Sequence, residues 1–203
     1  MAHKPLRAST PHVLEKRRRR RGEILRATLR AFREKGFHAT TLGDIAEHVG
    51  VRKTALYHYF PDKQSILQEC HRESLGELDR IVAEARKLRT AAERLAHVIR
   101  EHVRVMTETL QGSPLAFEVT SFSPARQKAM IQHRDRYERE VRAIIDEGIR
   151  SGEFRKVDSK IATFAALGAI NWIARWYRPE GEYHAAELGA AFVDQLLGGL
   201  RKR

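Results

Sequence analysis

The sequence predicts an all-α protein of about nine helices, in which a small helix-turn-helix unit precedes a larger helical domain. Three observations lead to this prediction. Apolar residues recur with the spacing of one helical face along most of the chain, glycine and proline separate the periodic segments, and no alternating stretch is long enough to predict a strand. Apolar residues make up 42% and charged residues 32% of the 203 positions, as in an ordinary globular protein.

The first predicted helix starts at the basic run that begins with Arg17, and it ends at Gly36, because a left-handed residue is favoured after a helix. Its apolar positions lie on one face, namely Ile24, Leu25, Thr28, Leu29 and Phe32. Residues 1–16 mix proline, serine, threonine and charges without periodicity. We expect them to form a disordered basic tail.

Five longer helices are predicted after residue 61, and residues 66–203 are expected to form one domain. Helix caps and breaks come at Asp62, Gly112, Pro114, Gly152, Asp158, Pro179 and Gly181. The stripes that we expect to be buried, in chain order, are Leu95, Val98, Ile99, His102, Met106 and Leu110; Met130, Tyr137, Val141, Ile144, Ile145 and Gly148; and Leu188, Phe192, Leu196 and Leu200.

The net charge of +12 is concentrated in the first third of the chain. Residues 1–65 contain 15 Lys or Arg against 6 Asp or Glu, whereas residues 66–203 contain 23 against 20. A charge that only keeps the protein soluble has no reason to be so uneven. The asymmetry therefore favours a polyanion as the partner of the N-terminal unit.

Cysteine usage and hydropathy narrow the class of protein further. A single cysteine, Cys70, excludes an internal disulfide framework and suits a reducing cytosol, and no Cys or His spacing is typical of a zinc site. The apolar segment 161–177 contains Asn171 and Arg175 and is short for a membrane span. We expect a soluble cytoplasmic protein with no metal, cofactor or membrane partner.

The segment 41–67 has the pattern of a helix-turn-helix. Thr40 or Thr41 caps a short helix, and Ala46 allows a second helix to approach closely. Gly50 occupies the turn, where a positive φ is tolerated best by glycine. Apolar anchors lie on both sides of the turn, at Ile45, Val49, Val51, Leu56 and Tyr59.

Residues 17–67 resemble the tetracycline-repressor (TetR) family. The resemblance rests on GF-x-x-TT at 36–41, DIA at 44–46, GV at 50–51 and LYHYFPDK at 56–63. It implies a DNA-binding head at residues 17–65, a larger helical body at 66–203 that dimerises and senses a small molecule, and a homodimeric repressor on a near-palindromic operator.

Contacts to DNA are assigned on the predicted recognition helix, residues 53–59, and around it. Lys53, Thr54 and His58 are candidates for base edges, although His58 is also consistent with a merely solvated side chain. Phosphate contacts are expected from Tyr57, Lys63 and the hydroxyls of Thr40 and Thr41. Arg52 stands where the family usually has a serine-like cap. This departure removes the side-chain cap of the helix and adds a cation near the DNA. Tyr59 and Phe60 are expected in the core.

The five consecutive arginines that open the first helix have two interpretations. They form either a flexible arm that reaches the minor groove or the DNA backbone, or a solvated helix start. Their position beside the head favours the flexible arm. The residues are Arg17, Arg18, Arg19, Arg20 and Arg21.

The end of the predicted helix at 161–177 combines aromatic and basic residues: Trp172, Arg175, Trp176, Tyr177 and Arg178. Such a cluster is typical of a site for an anionic, partly apolar ligand, and equally of a dimer core. Small residues between 165 and 169 and between 189 and 199 allow two helices of each subunit to form a four-helix interface.

Tyr137, EGIRSGEF at 147–154 and WYRPEG at 176–181 loosely resemble the branch of the family that senses acyl-coenzyme A thioesters. The resemblance implies an effector from fatty-acid, aromatic-acid or sterol breakdown, with arginines at the mouth of an apolar tunnel. Acidic neighbours leave open an ordinary salt-bridged helix instead. Our candidate ligand residues are the following: Arg134, Tyr137, Arg139, Val141, Arg142, Trp172, Arg175, Trp176 and Arg178.

Other function classes fit the sequence less well. No nucleophile elbow, phosphate-cradling glycine loop or metal-spaced ligand set predicts an enzyme. A DNA-packaging protein explains the charge but does not need a nearly neutral body. Within the regulators, an efflux-type sensor of cationic or aromatic drugs is the alternative, and it requires acidic groups in the pocket.

Overall fold

The computed structural model describes residues 11–113 and 120–201, and within these ranges it contains eight α-helices and no strand. This confirms the predicted all-α class. The helices are α1 (Pro11–Ala39), α2 (Leu42–Val49), α3 (Lys53–Tyr57), α4 (Lys63–Ala85), α5 (Ala91–Arg104), α6 (Pro124–Ser151), α7 (Ser159–Trp176) and α8 (Ala185–Gly198). A π-helical turn, Val105–Thr109, directly continues α5.

The N-terminal helix is longer than predicted. It begins at Pro11, so residues 11–16, which were expected in a disordered tail, are helical, while residues 1–10 lie outside the described ranges. Proline suits the first position of a helix because an N–H group there would have no hydrogen-bond partner within the helix. In the same segment, Glu15 forms an ion pair with Arg18, one turn later. At Gly36 the backbone leaves the helical region (φ 76°, ψ 161°), as predicted from its position.

The head consists of α1, α2 and α3, and the predicted caps are present. The Thr41 hydroxyl accepts a hydrogen bond from the backbone N–H of Asp44 (3.1 Å), and Gly50 ends α2 in the left-handed conformation (φ 71°). Asp62 likewise caps α4 through the N–H of Ser65 (2.6 Å). These caps fix the start and end of α2 and the start of α4, so that the short helices α2 and α3 lie between the long helices α1 and α4.

The body is built around α5. Helix α8 packs on α5, α6 packs on α7, and α4 runs from the head into the body and contacts α5 and α6. The buried stripes on α5 and α6 are those predicted. At Gly148 a Cβ atom would lie 2.2 Å from the Phe154 ring, so only glycine allows the chain after α6 to fold back here.

The segment after α5 differs from the single regular helix predicted by the apolar stripe. The hydroxyl of Thr107 bonds the carbonyl oxygen of Val103 at 2.9 Å, and the backbone widens into the π-helical turn. Gln111 and Gly112 follow with positive φ angles of 51° and 66°. The predicted break at Gly112 is present, whereas Pro114 lies outside the described residues. No helix in the described ranges is long and apolar enough to cross a membrane.

Candidate DNA interface and effector cavity

The recognition helix α3 is anchored from one side and exposed on the other. Leu56 is fully buried, whereas Lys53, Thr54 and Tyr57 are exposed, and so is His58, which follows the helix directly. At the start of the helix, Arg52 occupies the cap position and forms no side-chain cap. The predicted loss of this cap is confirmed, and the Arg52 side chain is left exposed beside α3.

The two threonines before α2 have different surroundings. Thr41 is exposed, and its hydroxyl donates a hydrogen bond to the Asp44 carboxylate (2.6 Å). Hydrogen bonds from Lys35 and Thr41 keep the pKa of Asp44 well below its usual range. By contrast, Thr40 is only 1% exposed, and its hydroxyl donates to the carbonyl oxygens of Gly36 (2.7 Å) and Ala31 (3.2 Å). The predicted phosphate contact of Thr40 is therefore wrong, because this hydroxyl is already bonded inside the head.

Lys63 is also used inside the head. Its ammonium donates to the carbonyl oxygens of Phe37 (2.6 Å), Thr40 (2.8 Å) and His38 (3.1 Å), and it lies 4.4 Å from the centre of the Phe37 ring. A cation at the first position of α4 is unfavourable for the stability of that helix, because a helix start carries partial positive charge. The ammonium of Lys63 is instead stabilised by the end of α1, which carries partial negative charge. The expected phosphate contact of Lys63 is therefore corrected to a bond that holds α4 against α1.

The arginine run lies inside α1, which begins at Pro11, so the predicted flexible arm is wrong, and the run is not the start of the helix either. Arg20 forms an ion pair with Glu23, and Arg21 connects the head to α4 through an ion pair. The Arg21 guanidinium lies 3.3 Å from the carboxylate of Glu69 and 4.4 Å from the centre of the Phe60 ring. Phe60 is buried, as predicted. The exposed members of the run are Arg17, Arg18 and Arg19.

A cavity of about 390 Å³ lies in the body between α4, α5, the π-helical turn, α6 and α7. Its lining is mostly apolar, and it reaches the surface beside Phe164 and Gly168 of α7. π-helical turns are often found at functional sites, and this one contributes Val105 and Met106 to the wall. Leu75, Leu78, Leu110 and Leu167 complete the apolar lining.

Polar groups of the cavity come mainly from α6. Arg134 is half-buried, and burial lowers its pKa. Asp135 and Glu138 line the same wall, and a Glu138 carboxylate oxygen lies 3.6 Å from Nε of Arg142. The Tyr137 hydroxyl lies 3.3 Å from Nδ1 of His102, and both rings line the cavity.

Several predicted ligand residues lie elsewhere. Val141 is buried in the core, Arg139 is exposed, and Arg142 pairs with Glu138 from outside the lining. Trp172 is 60% exposed and Trp176 is also exposed, with Arg175 and Arg178 exposed near them. Because α7 is apolar on nearly every side, its sequence does not indicate which face meets the cavity. Of the predicted set, Arg134 and Tyr137 line it.

Residues that sequence reasoning missed include His102, Glu138 and Asn171. His102 was assigned to the buried stripe of α5, and its polar ring among aliphatic positions was the available signal. The outer face of α7 instead presents exposed apolar side chains, which are Ile161, Trp172 and Trp176, and the exposed Phe164 lies at the mouth of the cavity.

The head and the cavity wall meet at Arg33. Its guanidinium donates to the carbonyl oxygen of Gln111 (3.2 Å) and lies 3.4 Å from the carboxylate of Glu180, and its side chain is 10% exposed. Gln111 directly follows Leu110, which lines the cavity. At Gly112 a Cβ atom would lie 2.6 Å from the carbonyl oxygen of Tyr177, so this turn is held closely on both sides.

Known proteins resemble this chain over nearly its whole length. KstR2, a transcriptional repressor of Mycobacterium tuberculosis (strain ATCC 25618 / H37Rv), is 29% identical over 197 residues, which cover 90% of this chain and 94% of KstR2. The solved structure of the ketosteroid transcriptional regulator KstR2 of Mycobacterium tuberculosis has a TM-score of 0.81 at 26% identity, covering 91% of this chain and 96% of that one.

Two further known proteins are similar to this chain over most of its length. The structure of the TetR family transcriptional regulator PfmR from Thermus thermophilus is 35% identical, with a TM-score of 0.76, and the match covers 88% of this chain and 99% of that one. The fatty acid metabolism regulator protein of Bacillus subtilis (strain 168) is 25% identical over 189 residues, 89% of this chain and 95% of that protein.

Family models match both parts of the chain. Residues 24–70 match the model described as bacterial regulatory proteins, tetR family. Residues 88–200 match the tetracyclin repressor-like C-terminal domain, which is more than half of the chain. The exposed recognition helix, the separate cavity-bearing body and these matches lead to one conclusion. This chain belongs to the tetR family of bacterial transcriptional regulators.

Proposed function

We propose that this transcriptional repressor releases its operator when an acyl-coenzyme A thioester binds with its acyl group in the cavity of the body. The observation that carries the proposal is the cavity of about 390 Å³, enclosed by helices and largely apolar. An acyl group gains free energy by leaving water for such a space, about 0.8 kcal/mol for each buried methylene.

The names of the relatives support an apolar effector of this size. One is called a ketosteroid regulator and another a fatty acid metabolism regulator, and both kinds of molecule are large and mostly apolar. The coenzyme A phosphates need cations beyond the apolar space. We assign this role to Arg134, which lines the cavity.

On the DNA side, we assign base contacts to Lys53, Thr54 and His58, which are exposed on and directly after α3. Phosphate contacts are assigned to exposed or half-exposed groups around them, namely Thr41, Arg52, Tyr57, Arg17, Arg18, Arg19 and Arg20. Because these arginines lie inside the helix α1, they contact the DNA backbone without the entropy cost of ordering an arm. These contacts add affinity that does not depend on sequence.

For the homodimer, we assign the interface to the outer faces of α7 and α8. Exposed apolar residues recur along α7, with Ile161 67% exposed, and small residues lie between them. At Gly198 a Cβ atom would meet nothing within 4 Å, so this part of α8 is open to a partner. Two helices from each subunit then form the four-helix interface expected from the sequence.

Two connections link the cavity to the head. Helix α4 contributes Leu75 and Leu78 to the lining and begins at Lys63, which bonds the end of α1. The second connection is Arg33, whose partner Gln111 follows the lining residue Leu110. A ligand that displaces this wall changes the position of the head, and with it the separation of the two recognition helices in the dimer.

A sensor of cationic drugs is the second candidate, because the cavity contains the acidic groups that such a sensor requires. Asp135 and Glu138 both line it, and one Glu138 oxygen is buried without a hydrogen bond among the described residues. In the thioester proposal, Arg134 is the group that meets the ligand's charge. The two proposals therefore predict opposite charges for the effector.

Operator binding in the presence of candidate effectors tests the proposal. The operator is first selected from random duplexes, and binding is then titrated against aliphatic, aromatic and sterol-derived coenzyme A thioesters. We expect at least one thioester to weaken binding, while its free acid and free coenzyme A do much less. If no thioester shifts the curve and a cationic dye such as ethidium releases the operator, after correction for the dye's own binding to DNA, the drug sensor replaces the thioester sensor.

A further inference from the structure

We infer that the effector carries a neutral oxygen, a ketone or an alcohol, on the apolar end that enters the cavity, and that His102 and Tyr137 bind this oxygen. The inference rests on the proposed effector site and deepens it by naming a chemical feature of the ligand. It concerns the acyl part of the ligand, not the coenzyme A part.

The first observation is the position of the pair. His102 of α5 and Tyr137 of α6 are 4% and 5% exposed, and both line the cavity. The phenol hydroxyl lies 3.3 Å from Nδ1, and the rings meet edge to face with their centres 5.4 Å apart. Leu75 and Leu78 of α4 and Val105 and Met106 of the π-helical turn line the cavity with them, and Ser74 of α4 is a further polar residue in the lining.

The second observation is that neither ring is charged near neutral pH. Burial lowers the pKa of His102 to about 4, and burial raises the pKa of Tyr137 far above its usual range. The pair therefore contains one imidazole proton and one phenol proton. A buried polar pair in an apolar wall has a cost unless its remaining donors and acceptors also find partners.

The proton count then determines what the pair offers to a ligand. If the phenol donates to Nδ1, the imidazole proton is on Nε2, which is a donor, and the phenol oxygen still accepts. If Nδ1 donates instead, the phenol proton is the donor and Nε2 accepts. In both arrangements the pair retains one donor and one acceptor. That combination suits a ketone, which accepts, or an alcohol, which does both.

A carboxylate does not suit this end of the cavity. It would be an anion beside two uncharged rings and the carboxylate of Glu138, where burial of a charge is costly unless it is paired. The lining cation Arg134 has acidic neighbours in the lining, Asp135 and Glu138. The neutral oxygen is thus favoured over both a plain hydrocarbon end, which leaves the pair unsatisfied, and a charged end.

Paired probes that differ only in this oxygen test the inference. Two series of probes are titrated by calorimetry into the protein. The linear series consists of decanoyl-coenzyme A and its 9-oxo, 9-hydroxy and 10-carboxyl analogues. The cyclic series consists of cyclohexylpropanoyl-coenzyme A and 4-oxocyclohexylpropanoyl-coenzyme A. Direct binding is measured without DNA. We expect the oxo and hydroxy probes to bind about ten-fold more tightly than their parents, the effect of one well-made buried hydrogen bond.

Two variants locate the preference. Tyr137→Phe keeps the ring and removes the hydroxyl, so the preference for the oxo probe is expected to fall toward parity. Tyr183→Phe is the matched control, because it removes an exposed phenol hydroxyl on the surface and is expected to leave the preference intact. If Tyr137→Phe does not fold, as judged by circular dichroism, the comparison of probes on the unchanged protein still decides the question.

The possible results separate this inference from the proposed function. If no thioester binds, the proposed function itself fails, and with it this inference. If thioesters bind but the oxo and hydroxy probes bind no more tightly than their parents, the inference is overturned and the proposed function stands. Tighter binding of the carboxyl analogue than of the ketone, or a full preference retained in Tyr137→Phe, also overturns it.

Discussion

The guanidinium of Arg33, in the head, donates a hydrogen bond of 3.2 Å to the carbonyl oxygen of Gln111, which directly follows the cavity wall. Gln111 has a positive φ of 51°, and the next residue, Gly112, is packed against the backbone of Tyr177. A residue with a side chain is rarely found in this conformation, so the surrounding contacts must hold it there. The turn therefore has little freedom to absorb a movement of the wall.

The first prediction concerns this contact. Arg33→Met retains the aliphatic stem and removes the bonds to Gln111 and Glu180. We expect operator affinity without effector to change little, while the coupling between effector and DNA, typically 1–3 kcal/mol, falls by about half or more. The measurement is an operator titration with and without the active thioester. Arg26→Met, an exposed cation on the same helix, is the control for lost charge.

An unchanged effector response in Arg33→Met shows that the signal reaches the head by another path, of which α4 is the remaining one. A large loss of operator affinity without effector shows that Arg33 stabilises the DNA-binding arrangement itself.

The second prediction concerns Lys63 and the stability of the head. Lys63→Ala removes three hydrogen bonds to carbonyls at the end of α1, which leaves those acceptors without their partner. We expect the free energy of unfolding to fall by about 2 kcal/mol, as for hydrogen bonds to a charged group. Urea unfolding followed by circular dichroism measures this, and Lys128→Ala, an exposed lysine of α6, is the control.

A phosphate role for Lys63 predicts a different pattern. In that case the free energy of unfolding of Lys63→Ala is unchanged, and its binding to all DNA sequences weakens alike. The slope of the logarithm of the binding constant against the logarithm of the salt concentration becomes shallower by about one.

The third prediction separates base reading from phosphate contact. Lys53→Ala and His58→Ala are each expected to relax the preference at one position of each half-site, at a cost of roughly 1–3 kcal/mol for the preferred base. Arg19→Ala, in the exposed run of α1, is expected to weaken operator and random DNA equally. Binding to a set of operators with single base changes measures both effects. Equal losses of Lys53→Ala and His58→Ala on operator and random DNA would remove them from the base-reading set.

The fourth prediction concerns the dimer. Ala169→Glu introduces a carboxylate on the exposed face of α7 that we assign to the interface, and burial of an unpaired charge there costs several kcal/mol. We expect sedimentation velocity to show a monomer with an unchanged helical spectrum. Ala129→Glu makes the same change on an exposed face of α6 and is expected to remain dimeric. A dimer in both variants moves the interface away from this part of α7.

Local sequence determined most of the helical architecture. Thr41, Asp62 and Asp158 cap the helices that they were expected to cap, and Gly50 and Gly152 adopt the left-handed conformation after α2 and α6. Each of these features depends on a few consecutive residues, so no knowledge of the rest of the chain was needed. The sequence predicted the start of α1 at Arg17, whereas the helix begins at Pro11. The residues before Arg17 have no apolar periodicity, so the sequence did not indicate that they are helical.

Tertiary structure decided which polar groups face each other. Lys63 was expected to bind phosphate, yet packing of α4 against α1 directs its ammonium to backbone carbonyls. His102 and Tyr137 are 35 positions apart, and they meet because α5 packs against α6. Helix α7 is apolar around most of its circumference, so periodicity does not distinguish its cavity side from the side that carries Trp172. Only the neighbouring helices make that distinction, because the free energy of burial depends on which surface they cover.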